Sequence, residues 1–77
     1  MNYRVYTLLD WIDIKNLKFN YLSSNPNAIN LLEQNQDKID WCQLSINSSA
    51  INLLEQNQDK IDWDEFSLNK SIFILDY

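Results

Sequence analysis

The sequence predicts an all-α protein, a short right-handed α-solenoid of about two full 22-residue helix-turn-helix repeats between degenerate N- and C-terminal caps. Three observations predict it. The stretch "AINLLEQNQDKIDW" at Ala28–Trp41 returns letter for letter at Ala50–Trp63, and Leu22 and Leu44 keep the same spacing of 22. A fixed period in this range marks units that stack along one direction. Ala28, Leu31 and Leu32 recur at i, i+3 and i+4, with Ile29 widening the stripe, so the segment has the single apolar face of a packed helix. Finally, a unit carries about five or six large apolar side chains, each contributing roughly 1.5–3 kcal/mol on full burial. Ordering each residue costs on the order of 1–2 kcal/mol of backbone entropy, so one unit cannot stand alone and neighbours must share a core.

The whole chain, 1–77, reads as one repeat domain. Residues 1–21 form a degenerate N-terminal cap, 22–43 the first repeat, 44–65 the second, and 66–77 a partial C-terminal repeat or cap. In the first part, Leu9, Leu17, Phe19 and Leu22 stand one period before Leu31, Ile39, Trp41 and Leu44. In the first repeat, Asn25 is the expected N-cap and Pro26 the first helical residue, where its missing N–H costs nothing. Asn47 and Ser48 take these places in the second. The helix is expected over about 26–34, and without any glycine to end it, Asn35 and Asn57 are the candidates for a left-handed terminal residue. Asp40 and Asp62 then cap a shorter helix starting at Trp41 and Trp63, with Ile39 and Ile61 packing just before the cap. Ser67, Asn69, Ile72, Phe73 and Leu75 open a further copy in the places of Ser45, Asn47, Ala50, Ile51 and Leu53. A leucine-rich repeat shares this period and would make "WCQLSIN" a strand, but its full L-x-x-L-x-L-x-x-N spacing is missing.

Composition removes several classes of function. The 77 residues bound the chain to one small domain, and an apolar fraction of 45% with 13% aromatics argues for a folded chain. A net charge of −5 with six scattered basic residues argues against nucleic acid, whose binding rests on Lys and Arg neutralising phosphates. With no His, the usual general base and commonest metal ligand are missing. With no Gly, phosphate-cradling loops cannot be built. No apolar run approaches the roughly 20 residues of a membrane helix. The lone Cys42 and the lack of an opening signal segment point to a reducing intracellular compartment.

The string "LSSNPNAINLLEQNQDKIDW", residues 22–41, resembles a repeat family of giant viruses of the mimivirus type, with the pattern L-S-x-N-P-x-A-I-x-L-L-E-x-N-x-D-K-I-D-W-x-x. The resemblance runs from Leu22 to Trp63, and the flanking "LLDWIDIKNLKFNYLSSNP" is similar to the family's lead-in. It implies a helical solenoid that acts through binding, in the host cytoplasm, a viral factory or the virion. The chain departs from the pattern at Ser48 and Ser49 and in its small number of copies. Eleven Asn and nine Ile also suggest codons biased toward A and T, so that part of the Asn content carries no function.

No catalytic, cofactor-binding or metal-ligating residue is expected, and no small-molecule substrate. Asp37, Asp40, Asp59, Asp62, Asp64 and Glu65 read as caps and solvated surface rather than a Ca²⁺ loop, which in its commonest form needs a Gly at the turn. Trp41 and Trp63, beside Ile39 and Ile61, read as core. Trp11 falls out of register and is free to serve a partner. Cys42, equivalent to Asp64, is expected near the surface and unreactive, since no His lowers its pKa. "SIFILDY" begins a repeat without reaching its Trp, leaving Ile72, Phe73, Ile74 and Leu75 with no unit to cover them. The alternative is that Ile74 and Tyr77 fold back as a cap. The expected function is a non-catalytic protein-interaction or scaffold module whose possible contacts are Trp11, Ile72, Phe73, Ile74 and Tyr77. The alternatives are self-assembly through the ends of the stack, or an acidic nucleic-acid mimic that occupies a basic protein.

Overall fold

The computed structural model describes residues 5–76. Among them every regular element is helical, which removes the strand reading of "WCQLSIN". The α-helices are α1 (Phe19–Leu22), α2 (Ile29–Glu33), α3 (Trp41–Ile46), α4 (Ile51–Glu55) and α5 (Trp63–Phe66). Single 3₁₀ turns stand at Ile14–Asn16, Gln36–Lys38, Gln58–Lys60 and Lys70–Ile72. The molecule measures 44 × 32 × 18 Å along its principal axes.

Between the two close copies, residues 22 apart take nearly the same conformation. Asn35 and Asn57 have φ/ψ of −138/49 and −138/50, and Asp40 and Asp62 have −86/102 and −85/103. The order from the Asn turn onward is α-helix, 3₁₀ turn, α-helix, so the expected long helix and short helix are in fact three short pieces. The first expectation to be corrected is the helix over 26–34. Its α-helical part is only Ile29–Glu33, and its N-cap is Ala28, with no side-chain cap. Asn25 instead closes a turn. Its Oδ1 accepts from the Asn27 N–H at 3.0 Å, and its carbonyl accepts from the Ala28 N–H at 3.0 Å. Asn47 does the same for Ser49 and Ala50.

The left-handed helix ends are a second correction, since no described residue has a positive φ. The helix-terminal carbonyls find a side chain instead: the Asn35 amide donates to the Leu31 carbonyl at 2.9 Å and the Asn57 amide to Leu53 at 2.8 Å. A side-chain donor meets the need that a glycine turn meets elsewhere. The expected second helix is present. Asp40 accepts from the Gln43 N–H and Asp62 from the Glu65 N–H, each at 3.2 Å, three residues into α3 and α5.

The core lies where successive 22-residue segments meet. Ala28, Leu32, Ile39, Leu44, Ala50, Leu53 and Leu54 are buried, with Phe19, Leu22, Ile29, Trp41, Ile61 and Phe66 packed against them. Helix α3 packs on its equivalent α5. The N-terminal part matches the later pattern only in its second half, where Ile14–Asn16 and α1 stand in the places of Gln36–Lys38 and α3. Residues 7–11, one period before α2, form no helix.

Candidate interaction surface

Two polar ladders join the segments, and both rest on residues that recur in three copies, Ser23/Ser45/Ser67 and Asn25/Asn47/Asn69. In the first ladder, the Ser23 hydroxyl donates to the Phe19 carbonyl at 2.6 Å and accepts the Asp40 N–H at 2.9 Å. The Ser45 hydroxyl donates to Trp41 at 2.7 Å and accepts the Asp62 N–H at 3.0 Å. In the second ladder, the Asn47 amide donates to the carbonyls of Ser23 and Asn25 at 2.9 and 3.0 Å. The Asn69 amide donates to Ser45 and Asn47 at 3.0 and 2.9 Å. Ser23, Ser45, Asn47 and Asn69 are buried, and no buried side-chain nitrogen or oxygen among the described residues lacks a partner. Polar groups in a dry core are tolerated on that condition.

A third connection runs along the outside. The Lys38 ammonium lies over the Phe19 ring, 5.4 Å from its centroid, and Lys60 lies over Trp41 at 5.1 Å. Each lysine therefore covers the aromatic residue one unit earlier, with the geometry of a cation–π contact.

These connections explain why equivalent residues differ in exposure. Leu44, Ala50 and Leu53 are buried, whereas their equivalents Phe66 and Ile72 are half-buried and Leu75 is exposed. Trp41, beneath Lys60, is half-buried, but Trp63 is 59% exposed. The expectation that Trp63 is core is thus corrected. Its ring meets the edge of Phe66 at 5.5 Å and 86°, and no cation covers it among the described residues. Trp63, Phe66, Ile61, Ile51, Ile72 and Ile74 line an open groove of about 360 Å³.

The predicted contact residues fall into two groups. Ile72 and Ile74 share this groove, and Phe73 follows in extended conformation, largely exposed. Trp11 lies apart in the N-terminal segment and is 79% exposed. Ile74 does not fold back as a cap, because its side chain is 93% exposed. Tyr77 lies outside the described residues. At the other end, Tyr6, Leu8, Leu9 and Ile12 line an open pocket of about 320 Å³ with Leu22 and Leu31.

The acidic residues carry local structural tasks. Asp40 and Asp62 are caps, while Asp37, Asp59 and Asp64 are exposed and Glu65 is half-buried. Among the described residues no three His, Cys, Asp or Glu side chains converge in a metal-binding group. Cys42 is exposed. Its thiol pKa is raised, first by local desolvation of the sulfur, then by the neighbouring Asp62 carboxylate and the negative charges of Glu65 and Asp40. Each favours the neutral thiol over the nucleophilic thiolate. No described helix is long and apolar enough to cross a membrane.

Sequence reasoning located the Asp40 and Asp62 caps and most of the core, but it missed the linking roles of Ser23, Ser45, Asn47, Asn69 and the two lysines. The available signal was S-x-N, kept in three copies while its middle residue changes from Ser24 to Ile46 to Leu68. Comparison with known proteins finds no match, whether with family models, curated proteins or solved structures.

Proposed function

We propose that this chain is a non-catalytic protein-interaction module, a short α-solenoid of 22-residue units related to the giant-virus repeats it resembles. It works by presenting a stiff helical face whose shape is held by the polar ladders. The observation that carries this reading is the uncovered apolar surface around Trp63, Ile72, Phe73, Ile74 and Leu75. Exposed apolar side chains gathered in one place favour association with another chain. The acidic composition makes a partner with basic character the better fit.

Affinity capture with the full chain as bait, repeated at low and high salt, tests this reading. The expected result is a specific protein retained by the native chain and lost by Phe73→Asp. A chain that retains nothing at either salt concentration overturns it. Self-assembly through the same surface is the second reading, favoured by the same exposed residues. It requires the mass in solution to rise with concentration and Phe73→Asp to abolish the rise. A mass that stays monomeric throughout removes it.

A further inference from the structure

The face formed by α5 and Lys70–Leu75 is the uncovered counterpart of a face that the chain itself covers one period earlier. There, Lys60 stands on Trp41, the Asp62 N–H bonds the Ser45 hydroxyl, and the Asn69 amide bonds the Ser45 and Asn47 carbonyls. The same receptors recur 22 residues on. The Trp63 ring is open, and the exposed Ser67 hydroxyl, oriented by its bond to the Trp63 carbonyl at 2.8 Å, accepts no donor among the described residues. The Ser67 and Asn69 carbonyls likewise receive no side-chain amide among them. Around the ring, Glu55 lines the groove, and Asp62, Asp64 and Glu65 add negative charge.

From this continuity with the internal interface, we propose that the face docks a helical segment of another polypeptide that carries the chain's own unit pattern intact: Lys-Ile-Asp followed by Ser-x-Asn. The proposal deepens the interaction reading and rests on it. The partner's lysine stacks on Trp63 within an acidic surround. The N–H at its Asp position meets the Ser67 hydroxyl, and its Asn amide bridges the Ser67 and Asn69 carbonyls. Its Leu and Ile side chains fill the groove over Phe66 and Ile72. A second copy of this chain is the poorer occupant. Its leading unit has Asn16 and Lys18 where Lys38 and Asp40 stand, and it shares an open pocket with its own Tyr6–Leu9 segment.

The test titrates an unlabelled peptide of residues 28–49, which holds Lys38, Asp40, Ser45 and Asn47, into the ¹⁵N-labelled full chain. The expected result is a saturable shift of the Trp63 indole N–H and of the Ser67 and Asn69 amides. An Asn47→Ala peptide should bind about tenfold more weakly, as loss of paired hydrogen bonds implies. Trp63→Ala in the chain, with unchanged amide signals in α2 and α3 to show that the fold is kept, should reduce the response similarly. The same segment tethered behind Tyr77 by a flexible linker, at an effective concentration of order millimolar, should produce these shifts even where the free peptide binds weakly. The proposal is overturned if both forms are silent, or if a reversed-sequence peptide acts equally. It is also overturned if the chain alone shows the shifts on concentration, which makes a second copy the occupant. Capture of a protein that is indifferent to Trp63→Ala, with both peptide forms inert, leaves the interaction reading standing and removes this one.

Discussion

Asn47 concentrates the physics of this chain in one side chain. Its carbonyl oxygen holds a turn within its own segment while its amide joins the segment before it. Leucine of similar size fills the volume but leaves the carbonyls of Ser23 and Asn25 without a donor, and a buried unsatisfied group costs about 1–3 kcal/mol. Asn47→Ala should therefore destabilise the protein by about 2–4 kcal/mol, read by urea denaturation. The exposed Asn52 is the control, and Asn52→Ala should stay within about 0.5 kcal/mol. Equal effects at the two positions contradict the assignment. Cys42 supports a prediction in pH. Because its pKa is raised, thiolate forms only at higher pH, so the midpoint of the alkylation rate against pH should lie at higher pH than in the urea-unfolded chain, with a slower rate below it. Asp62→Asn keeps the cap but removes the nearest charge, so it should move the profile toward lower pH. A profile that ignores the substitution rules out Asp62 as a cause.

At the scale of the element, these helices are too short to persist by themselves. Pieces of four to six residues lie far below the roughly 12–15 residues at which an isolated helix becomes marginal in water, so they exist because their apolar sides are covered. Leu44, fully buried between α3 and its neighbours, is the sharpest probe. Leu44→Ala should cost about 2–5 kcal/mol, a large share of the total stability of a small domain, which is of order 5–15 kcal/mol. A clearly lowered melting midpoint by helical circular dichroism is the readout, and an unchanged midpoint counts against the packing described. The lysine stack is weaker. Lys60→Ala should remove about 0.5–1 kcal/mol, and in a double-mutant cycle with Trp41→Leu the coupling should account for most of it. The caps at Asp40 and Asp62 were legible because the capping rule depends on residues three apart in sequence. The helix over 26–34 was not, because Pro26 and Asn25 fit a helix start and a turn equally well until Asn47 recruits the adjoining carbonyls.

Across the whole molecule, apolar residues of the last segment are more exposed than their equivalents one period earlier, as in buried Leu53 against Leu75 and half-buried Trp41 against Trp63. The side chains are the same or alike, so burial is set by what lies one period further along. This gradient gives the groove its apolar lining and is the basis of the binding reading. Phe73→Asp, at a largely exposed position, should leave the unfolding free energy within about 0.5 kcal/mol of the native value while abolishing association. A large loss of stability would show that Phe73 supports the fold and is not a free contact.

The sequence by itself determined that the chain is helical, that its pattern repeats every 22 residues, and which leucines and isoleucines turn inward. These properties follow from local spacing and from apolar side chains leaving water. Only the tertiary structure decided that Asn25, Asn47 and Asn69 build a ladder instead of capping long helices, and that Trp63 stands open while Trp41 is covered. A hydrogen bond between residues 22 or 24 apart depends on where two backbones meet, and no stretch of sequence short enough to read locally contains both partners.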